Sequence, residues 1–199
     1  NNKPGLARYL SRSLTAIALK KSADIWLAVH ADPIRGLKDP YFKQDDILTR
    51  EIVVYAIGRI ARTNIDSAEA TWKEYAIRYQ FTDDESGGIQ RAIAIAAAGK
   101  NHSKRIAFLG RVPAAFVDDT VEKYRIREAI EENSWSELVR WTTSPPTGAT
   151  NILRWRYWHG RALQNVDRND DADVIFRELA KHRDYYGFLS ADQLDLDYQ

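Results

Sequence analysis

The 199-residue sequence contains no cysteine. This absence excludes a disulfide framework and cysteine-ligated metal sites, although it identifies no cellular compartment. The histidines also lack the spacing of a metal site, because none lies three or four residues from another, as two zinc ligands on one helix would. They are His30, His102, His159 and His182. We therefore expect neither a metal nor a cofactor.

The chain also lacks an excess of either charge and any long apolar run. Its 29 Lys and Arg residues nearly match its 28 Asp and Glu residues, which leaves a net charge of +1. Nucleic-acid-binding domains usually concentrate a basic excess in one stripe, whereas here the two signs are interleaved. No apolar stretch approaches the roughly 18–20 residues that cross a bilayer. We expect neither a nucleic acid as a partner nor a membrane span.

What the sequence does contain is a succession of helical patterns. Apolar residues recur every three or four positions along most of the chain, and Pro, Gly or polar residues separate the segments. The first stripe comprises Ala7, Leu10, Leu14, Ile17 and Ala18. Ser22 is expected to cap a second helix, which Pro33 ends. The stretch from Ile34 to Gln44 has no periodicity and is expected to be the longest loop.

Capping residues mark the helices that follow. We expect helices to start at Asp45 or Asp46, at Asp66, at Thr82 (with Glu85 in a capping box), at Asp118 and at Ser134. Pro145-Pro146 then interrupts the chain before two helices around residues 155–163 and 172–180. An aromatic segment from Tyr185 could start a third. The prediction is about eleven short helices and no strand.

The helices are expected to stack as hairpins. Short linkers favour antiparallel neighbours, and two segments, Ile47–Tyr79 and Trp155–His182, place an aromatic residue four positions after a small one in their second helix. These pairs are Ala68 with Trp72 and Ala172 with Phe176. The pattern resembles tetratricopeptide hairpins without their 34-residue period. Because one such hairpin cannot bury its own apolar face, we predict an all-α, irregular α-solenoid or superhelix that forms one domain over residues 1–199.

No catalytic motif stands out in the sequence. Phosphate-binding glycine loops and a nucleophile elbow are absent. The acidic pairs all precede helical stripes, where they are expected to cap helices and to complement the helix dipole. They are Asp45-Asp46, Asp83-Asp84, Asp118-Asp119 and Asp170-Asp171. We predict no catalytic residue in this chain.

Aromatic and basic side chains provide a weaker candidate site. Several of the six tryptophans fall on apolar stripes and are expected in the core, namely Trp72, Trp155 and Trp158. Trp141, near a helix end, is the best candidate for an exposed indole. A cluster of arginines, Arg154, Arg156 and Arg161, is either a solvated face or a surface that touches a polyanionic polymer, and exposed charge runs are usually solvated. Trp141 and these three arginines are the candidate glycan contacts.

The C-terminal quarter carries a family resemblance. From Trp155 the chain reads WRYWHGRAL, a second helix carries Ala172 and Phe176, and from Tyr185 the chain reads YYGFLSA. These segments resemble the end of the α-superhelical region of the soluble lytic murein transglycosylases, where a W-R-Y-W helix precedes an F-Y-G-F-L-A-A segment. Upstream, residues 46–50 (DILTR) and 59–62 (RIAR) fit the same region in order and spacing.

The resemblance implies a periplasmic bacterial enzyme that cleaves the MurNAc–GlcNAc bond of peptidoglycan and leaves an anhydromuramyl end. In that family a C-terminal lysozyme-like domain does the chemistry, with a catalytic Glu followed by Ser, a Gly-Leu-Met-Gln segment and an Ala-Tyr-Asn segment. This sequence lacks that set, and Glu85-Ser86-Gly87 imitates its first member by coincidence. The resemblance therefore implies the non-catalytic, superhelical part of a longer protein. Its partners would be its own catalytic domain and, through the parent enzyme, glycan strands.

Other functions fit parts of the same sequence. The main alternative is a tetratricopeptide-like protein-interaction module unrelated to the cell wall. A self-contained helical hydrolase would use Glu85 or another carboxylate, and an RNA-reading solenoid would need a repeating base-reading pair that the sequence lacks. Continuation of the gene into further repeats, or into a lysozyme-like domain, distinguishes the first alternative from the family reading.

Overall fold

The structure, a computed structural model, describes residues 17–144 and 152–198. Within those ranges it contains eleven α-helices, two 3₁₀ turns and no β-strand. The helices are α1 (Ile17–Ala31), α2 (Pro33–Gly36), α3 (Ile47–Ala61), α4 (Ile65–Arg78), α5 (Asp83–Gly99), α6 (Arg105–Arg111), α7 (Asp119–Glu131), α8 (Trp135–Thr142), α9 (Ile152–Gln164), α10 (Asn169–Leu179) and α11 (Tyr185–Gln193). The 3₁₀ turns are Pro40–Lys43 and Ala114–Phe116. The predicted all-α fold is confirmed.

The chain divides into two compact units, Asn1–Ala97 and Ala98–Gln199, and the boundary falls inside α5. In the first unit α1 packs against α2 and α3, and α3 packs against α4. In the second unit each helix from α6 to α11 packs against the next one in sequence. Packing between sequence neighbours is the arrangement expected of stacked helical hairpins.

Helix α3 illustrates how the local sequence sets an element. Asp46 caps its start, because its Oδ1 accepts the Thr49 N–H at 2.9 Å while Thr49 Oγ1 accepts the Asp46 N–H at 2.9 Å. Apolar residues then recur on one face of the helix, and they are all buried: Ile52, Val53, Ala56, Ile57, Ile60 and Ala61. The predicted start at Asp46 is confirmed.

For the later helices, the predicted caps at Thr82 and Asp118 are confirmed, and the one at Asp66 is wrong. Thr82 and Glu85 form the expected capping box, and Asp118 caps α7 by accepting two backbone N–H groups. Ser134 directly precedes α8, although its side chain makes no capping bond. The cap of α4 is Asn64, whose Oδ1 accepts the Ser67 N–H at 2.9 Å, and not Asp66. Starting the helix at Asn64 places the next residue, apolar and 95% buried, on the core face.

The prediction for the N-terminal region is covered in part. Ala7, Leu10 and Leu14 lie outside the described residues, as does Pro145-Pro146. Where the description begins, α1 runs without a break through Ser22, so the predicted helix start at Ser22 is wrong. The Ser22 hydroxyl lies 3.4 Å from the Tyr41 hydroxyl, a partner 19 positions along the chain.

The segment predicted as a long loop, Ile34 to Gln44, contains α2 and the first 3₁₀ turn. Each begins with an Asp-Pro pair: Asp32 accepts the Arg35 N–H at 3.0 Å, and Asp39 accepts the Tyr41 N–H at 2.8 Å. Proline is favoured at the first position of a helix because it needs no N–H partner there. The predicted loop is wrong because the proline of each pair starts a helical segment, whereas the prediction lets proline only end one.

Candidate functional site

Arg154, the first of the predicted arginines, is part of an internal ion-pair cluster. From α9 its guanidinium reaches two carboxylates near the start of α7, Asp119 and Glu122, with 3.2 Å between Arg154 Nε and Glu122 Oε1. Only 14% of the Arg154 side chain is exposed. Hydrogen bonds from Arg154 and then from Lys123 lower the pKa of Asp119. The expectation of a solvated face is wrong for Arg154, because its charge is used to join α7 to α9.

The three arginines do not form one cluster on α9. Two residues that are two positions apart on a helix are separated by about 200° around its axis, so Arg156 faces away from Arg154. Arg161 is seven positions after Arg154, about two full turns, and therefore lies on the same side of the helix as Arg154. Arg156 and Arg161 are both partly exposed. Arg161 Nη1 lies 3.5 Å from the Tyr157 hydroxyl, and the buried Arg161 Nε has no hydrogen-bond partner among the described residues.

Trp141 is partly buried, so the expectation of an exposed indole is wrong. It packs against a cluster of buried residues from α7, α8 and α9: Ile126, Ala129, Leu138 and Ala162. The Arg125 guanidinium lies 5.3 Å from the centre of its ring and donates to the Leu109 and Val112 carbonyls. Burial lowers the pKa of Arg125 to about 10. Trp141 therefore covers the buried Arg125 guanidinium, which hydrogen-bonds to carbonyl groups at the C-terminal end of α6.

The tryptophans expected in the core follow the prediction to different degrees. Trp155 is buried, at 6% exposure, and stacks on His159 with 5.8 Å between ring centres. Trp72 and Trp158 are partly buried, and Trp158 packs against the core of the second unit. Core packing is thus confirmed for Trp155, and the other two rings each leave part of their surface accessible.

Sequence reasoning missed the most buried carboxylate of the second unit, Glu128. It is fully buried, and both of its oxygens accept hydrogen bonds from guanidinium groups, those of Arg105 and Arg127. Arg127 also donates to the Ala98 carbonyl at 3.1 Å. The surrounding letters, Arg-Ile-Arg-Glu-Ala-Ile-Glu-Glu, resemble an ordinary exposed helix face, so the sequence carries no signal that distinguishes this glutamate.

Glu85, the sequence match to the family's catalytic Glu-Ser, serves the start of α5. Its Oε2 accepts the Thr82 N–H at 2.8 Å, and its Oε1 lies 3.5 Å from Arg50 Nε. Arg50 in turn pairs with Asp45, which also accepts the Gln80 N–H at 2.7 Å. The carboxylate is therefore used for capping and for tying α3 to the start of α5.

The first unit contains three neighbouring clefts around Asp39, which lines all of them. Their volumes are about 670, 370 and 580 Å³. The first cleft is lined mainly by residues of α1 and α2. The second is lined mainly by residues of α4 and of the 3₁₀ turn Pro40–Lys43, and the third mainly by residues of α1. All three are clefts open to the surface. We call the three together the Asp39 groove.

Side chains of α4 hold the wall of the Asp39 groove in place. The Tyr75 hydroxyl donates to the Leu37 carbonyl at 3.1 Å, and Arg78 Nη2 and the Tyr79 hydroxyl donate to the Phe42 carbonyl at 2.9 and 3.0 Å. Burial raises the pKa of Tyr75 to about 12. These bonds satisfy backbone carbonyls that would otherwise be buried without partners.

The described part of the chain gives no sign of a metal centre or a membrane segment. Within residues 17–144 and 152–198, His, Asp and Glu side chains nowhere gather into a group of three that could hold a metal ion. Over the same ranges no helix combines the length and the apolarity that crossing a membrane requires.

Comparison with known proteins finds similarity among solved structures. No protein-family profile and no curated protein sequence matches the chain. The lytic transglycosylase Slt of Pseudomonas aeruginosa, solved as an inactive mutant, is 27% identical with a TM-score of 0.76 and is matched over 98% of this chain and 31% of that one. Two structures of a 70-kDa soluble lytic transglycosylase, one from Escherichia coli and one in complex with bulgecin A, are 20% identical with TM-scores of 0.73 and are matched over 98% of this chain and 32% of theirs.

These comparisons confirm the resemblance to the soluble lytic transglycosylases. The all-α fold is shared over almost the whole of this chain, which spans about a third of the length of the structures it matches.

Proposed function

We propose that this chain is a non-catalytic helical scaffold region of a lytic transglycosylase. The parent enzyme would cleave the MurNAc–GlcNAc bond of peptidoglycan in the periplasm and leave an anhydromuramyl end. The observation that supports this proposal is the match to the Pseudomonas aeruginosa enzyme, which extends over 98% of this chain but only 31% of that one.

The roles of the carboxylates support a scaffold rather than a catalyst. A glycosidic bond is cleaved by a carboxylic acid placed against the bridging oxygen in an open cleft. Glu85 instead caps a helix, and Glu128 and Glu122 are buried against arginines. The parent's chemistry would therefore come from a separate lysozyme-like domain, and this chain would hold that domain and guide glycan strands toward it.

Direct glycan contact by Trp141, Arg154, Arg156 and Arg161 stays a prediction. The engagement of Trp141 and Arg154 inside the second unit leaves Arg156 and Arg161 as the pair whose charge is more open to a ligand. Substituting Arg156 and Arg161 with Gln, and measuring sedimentation with purified peptidoglycan sacculi, tests their share of such a contact.

The proposal as a whole is tested by comparing the complete reading frame with the 199-residue chain. Each is incubated with purified sacculi, and soluble products are analysed by mass spectrometry for the 1,6-anhydro end. We expect anhydromuropeptides from the complete protein and none from the chain. Release of such products by the chain alone, and their loss in Glu85→Gln, would show that the chain is itself catalytic. A reading frame that continues into further helical repeats, with no lytic activity, would favour the protein-interaction module.

A further inference from the structure

The Asp39 groove combines an apolar floor with a charged rim. Ile25, Ala28 and Ala31 line the first cleft, and Ile34, which is 49% exposed, borders the second. The backbones of α1 and α2 lie close together at the floor, because a Cβ on Gly36 would lie 2.6 Å from the Val29 Cα. A ligand would thus meet a preformed surface rather than a loop that has to be ordered, which lowers the cost of binding.

The rim of the groove carries more positive than negative charge. Five of its six cations are exposed and form no ion pair with any described residue. These are Lys20, Lys21, Arg35, Lys38 and Lys43. The sixth, Arg78, pairs with Glu74 at 2.9 Å. A set of unpaired cations around one concave surface favours an anionic ligand.

The carboxylates of the groove do not neutralise that surplus. Four described carboxylates line it, two fewer than the six described cations, and each keeps its charge. Asp32 and Asp39 accept backbone N–H groups, Glu74 pairs with Arg78, and Asp24 is the fourth. Among the described residues the groove therefore has a surplus of two positive charges.

The lining of the groove disfavours a nucleic acid as the anionic ligand. A nucleic acid would bring a continuous row of phosphates close to Asp24, Asp32 and Asp39, and it would need exposed aromatic rings for its bases. The rings that line the groove, Phe42 and Tyr75, are buried. A lipid surface is flat on this scale and would not enter concave clefts. A polymer with carboxylates at intervals along a less polar chain matches both the floor and the rim.

We propose that the Asp39 groove binds the carboxylate-bearing peptide stems of peptidoglycan strands. The choice of this polymer and of its carboxylates rests on the proposed function, whereas the preference for an anionic ligand other than a nucleic acid rests on the groove itself. The groove would act as a holding site at which a strand is retained by its stems, away from any reacting bond.

The test measures binding of the 199-residue chain to soluble, uncrosslinked glycan strands with intact stems. Identical strands stripped of their stems by an amidase provide the carboxylate-free comparison, and poly-L-glutamate and a single-stranded oligonucleotide provide carboxylate-only and phosphate probes. The test variant is Arg35→Gln/Lys38→Gln/Lys43→Gln. A matched control, Arg62→Gln/Arg177→Gln/Arg183→Gln, removes three exposed cations that form no ion pair with a described residue and do not line the groove.

We expect intact strands to bind and the test variant to bind about tenfold or more weakly, because each exposed charge contact contributes a factor of about two to five. The control variant should keep its affinity within about twofold, and added salt should weaken binding of the unsubstituted chain. Circular dichroism of both variants checks that they remain folded.

Three results would overturn the inference: equal binding of stripped strands, an equal loss in the control variant, or tighter binding of the oligonucleotide than of intact strands. Failure of the proposed function has a different signature, because it is measured by the absence of anhydro products from the complete protein. If the complete protein releases anhydro products but the groove does not bind strands, this inference is refuted and the proposed function is not. Binding of poly-L-glutamate without strand binding refutes peptide stems as the ligand.

Discussion

Replacing Gly160 with alanine tests the packing that joins α9 to α10. A Cβ at this position would lie 2.7 Å from Phe176 Cε1 and 2.8 Å from Cζ, closer than carbon atoms normally approach. The Phe176 ring has no room to withdraw. It is fully buried in a cluster with Tyr157, Leu163, Ala172 and Leu179, and its centre lies 5.8 Å from that of Tyr157.

The expected magnitude is the difference between two opposing effects. Forcing an extra methyl group into a packed core costs about 1–3 kcal/mol, while replacing glycine with alanine inside a helix returns about 0.5–1 kcal/mol. Gly160→Ala should therefore lower the free energy of unfolding by up to about 2.5 kcal/mol, with a central value of about 1 kcal/mol. Gly58→Ala is the matched control, because a Cβ there meets nothing within 4 Å, and it should raise stability by up to about 1 kcal/mol.

Urea denaturation followed by far-ultraviolet circular dichroism measures both changes from the shift in midpoint. Phe176→Leu supplies the decisive background, because removing the ring removes the atoms that the new methyl group would meet. In that background the penalty of Gly160→Ala should disappear or change sign. If Gly160→Ala is as stable as the unsubstituted chain, or if its penalty persists with Leu at position 176, the close contact of α9 with α10 is wrong.

Three further predictions concern polar side chains that join one helix to another segment. Glu128→Gln should lower the free energy of unfolding, measured by urea denaturation, by about 3 kcal/mol or more, since it leaves two guanidinium groups facing a neutral amide. Glu131→Gln, at an exposed neighbouring position, should change it by less than about 1 kcal/mol. The pKa of Asp119 is lowered from its ordinary 3.8, so the Asp119 carboxylate stabilises the fold fully above pH 3.8 and loses this effect as the pH falls below that value. Asp119→Asn should therefore weaken the dependence of the free energy of unfolding on pH at the acid end. An unchanged dependence on acid pH would contradict the ion pair with Arg154. Tyr75→Phe should lower the free energy of unfolding by about 1–2 kcal/mol, because it leaves the Leu37 carbonyl unpaired. The pKa of Tyr75 is raised from 10.0 to about 12. The unsubstituted chain should therefore lose stability as pH rises above 10, and the variant should lose less.

The features that the sequence predicted well are those decided within one turn of chain. The helix start at Asp46 and the capping box at Thr82 are examples, because the donor and acceptor lie three residues apart and recur as a sequence pattern. The apolar stripes likewise identify the helices. The error at Asp66 arose because Asn64, two residues earlier, is equally suited to capping, whereas at Ser22 the helix simply continues through a residue that can also cap.

The site residues were less predictable because their partners are distant in sequence. Arg154 and Glu122 are separated by 32 positions, and neither residue's neighbours distinguish it from an exposed charge. Trp141 shows the same limit from the apolar side. Its place near a helix end suggested exposure, but α6 and α7 bring Arg125 over its ring.

The two units use their positive charges in different ways, and the net charge conceals this. In the second unit Arg105, Arg125 and Arg154 point inward to carboxylates or carbonyls, so these charges stabilise the fold and are unavailable to a ligand. In the first unit, five of the six described cations of the Asp39 groove form no ion pair with a described residue. A net charge of +1 is therefore compatible with a local anion-binding surface, because it also counts carboxylates, such as Glu128, that are already paired with arginines. Added salt should accordingly weaken ligand binding at the groove at concentrations that leave the buried pairs intact.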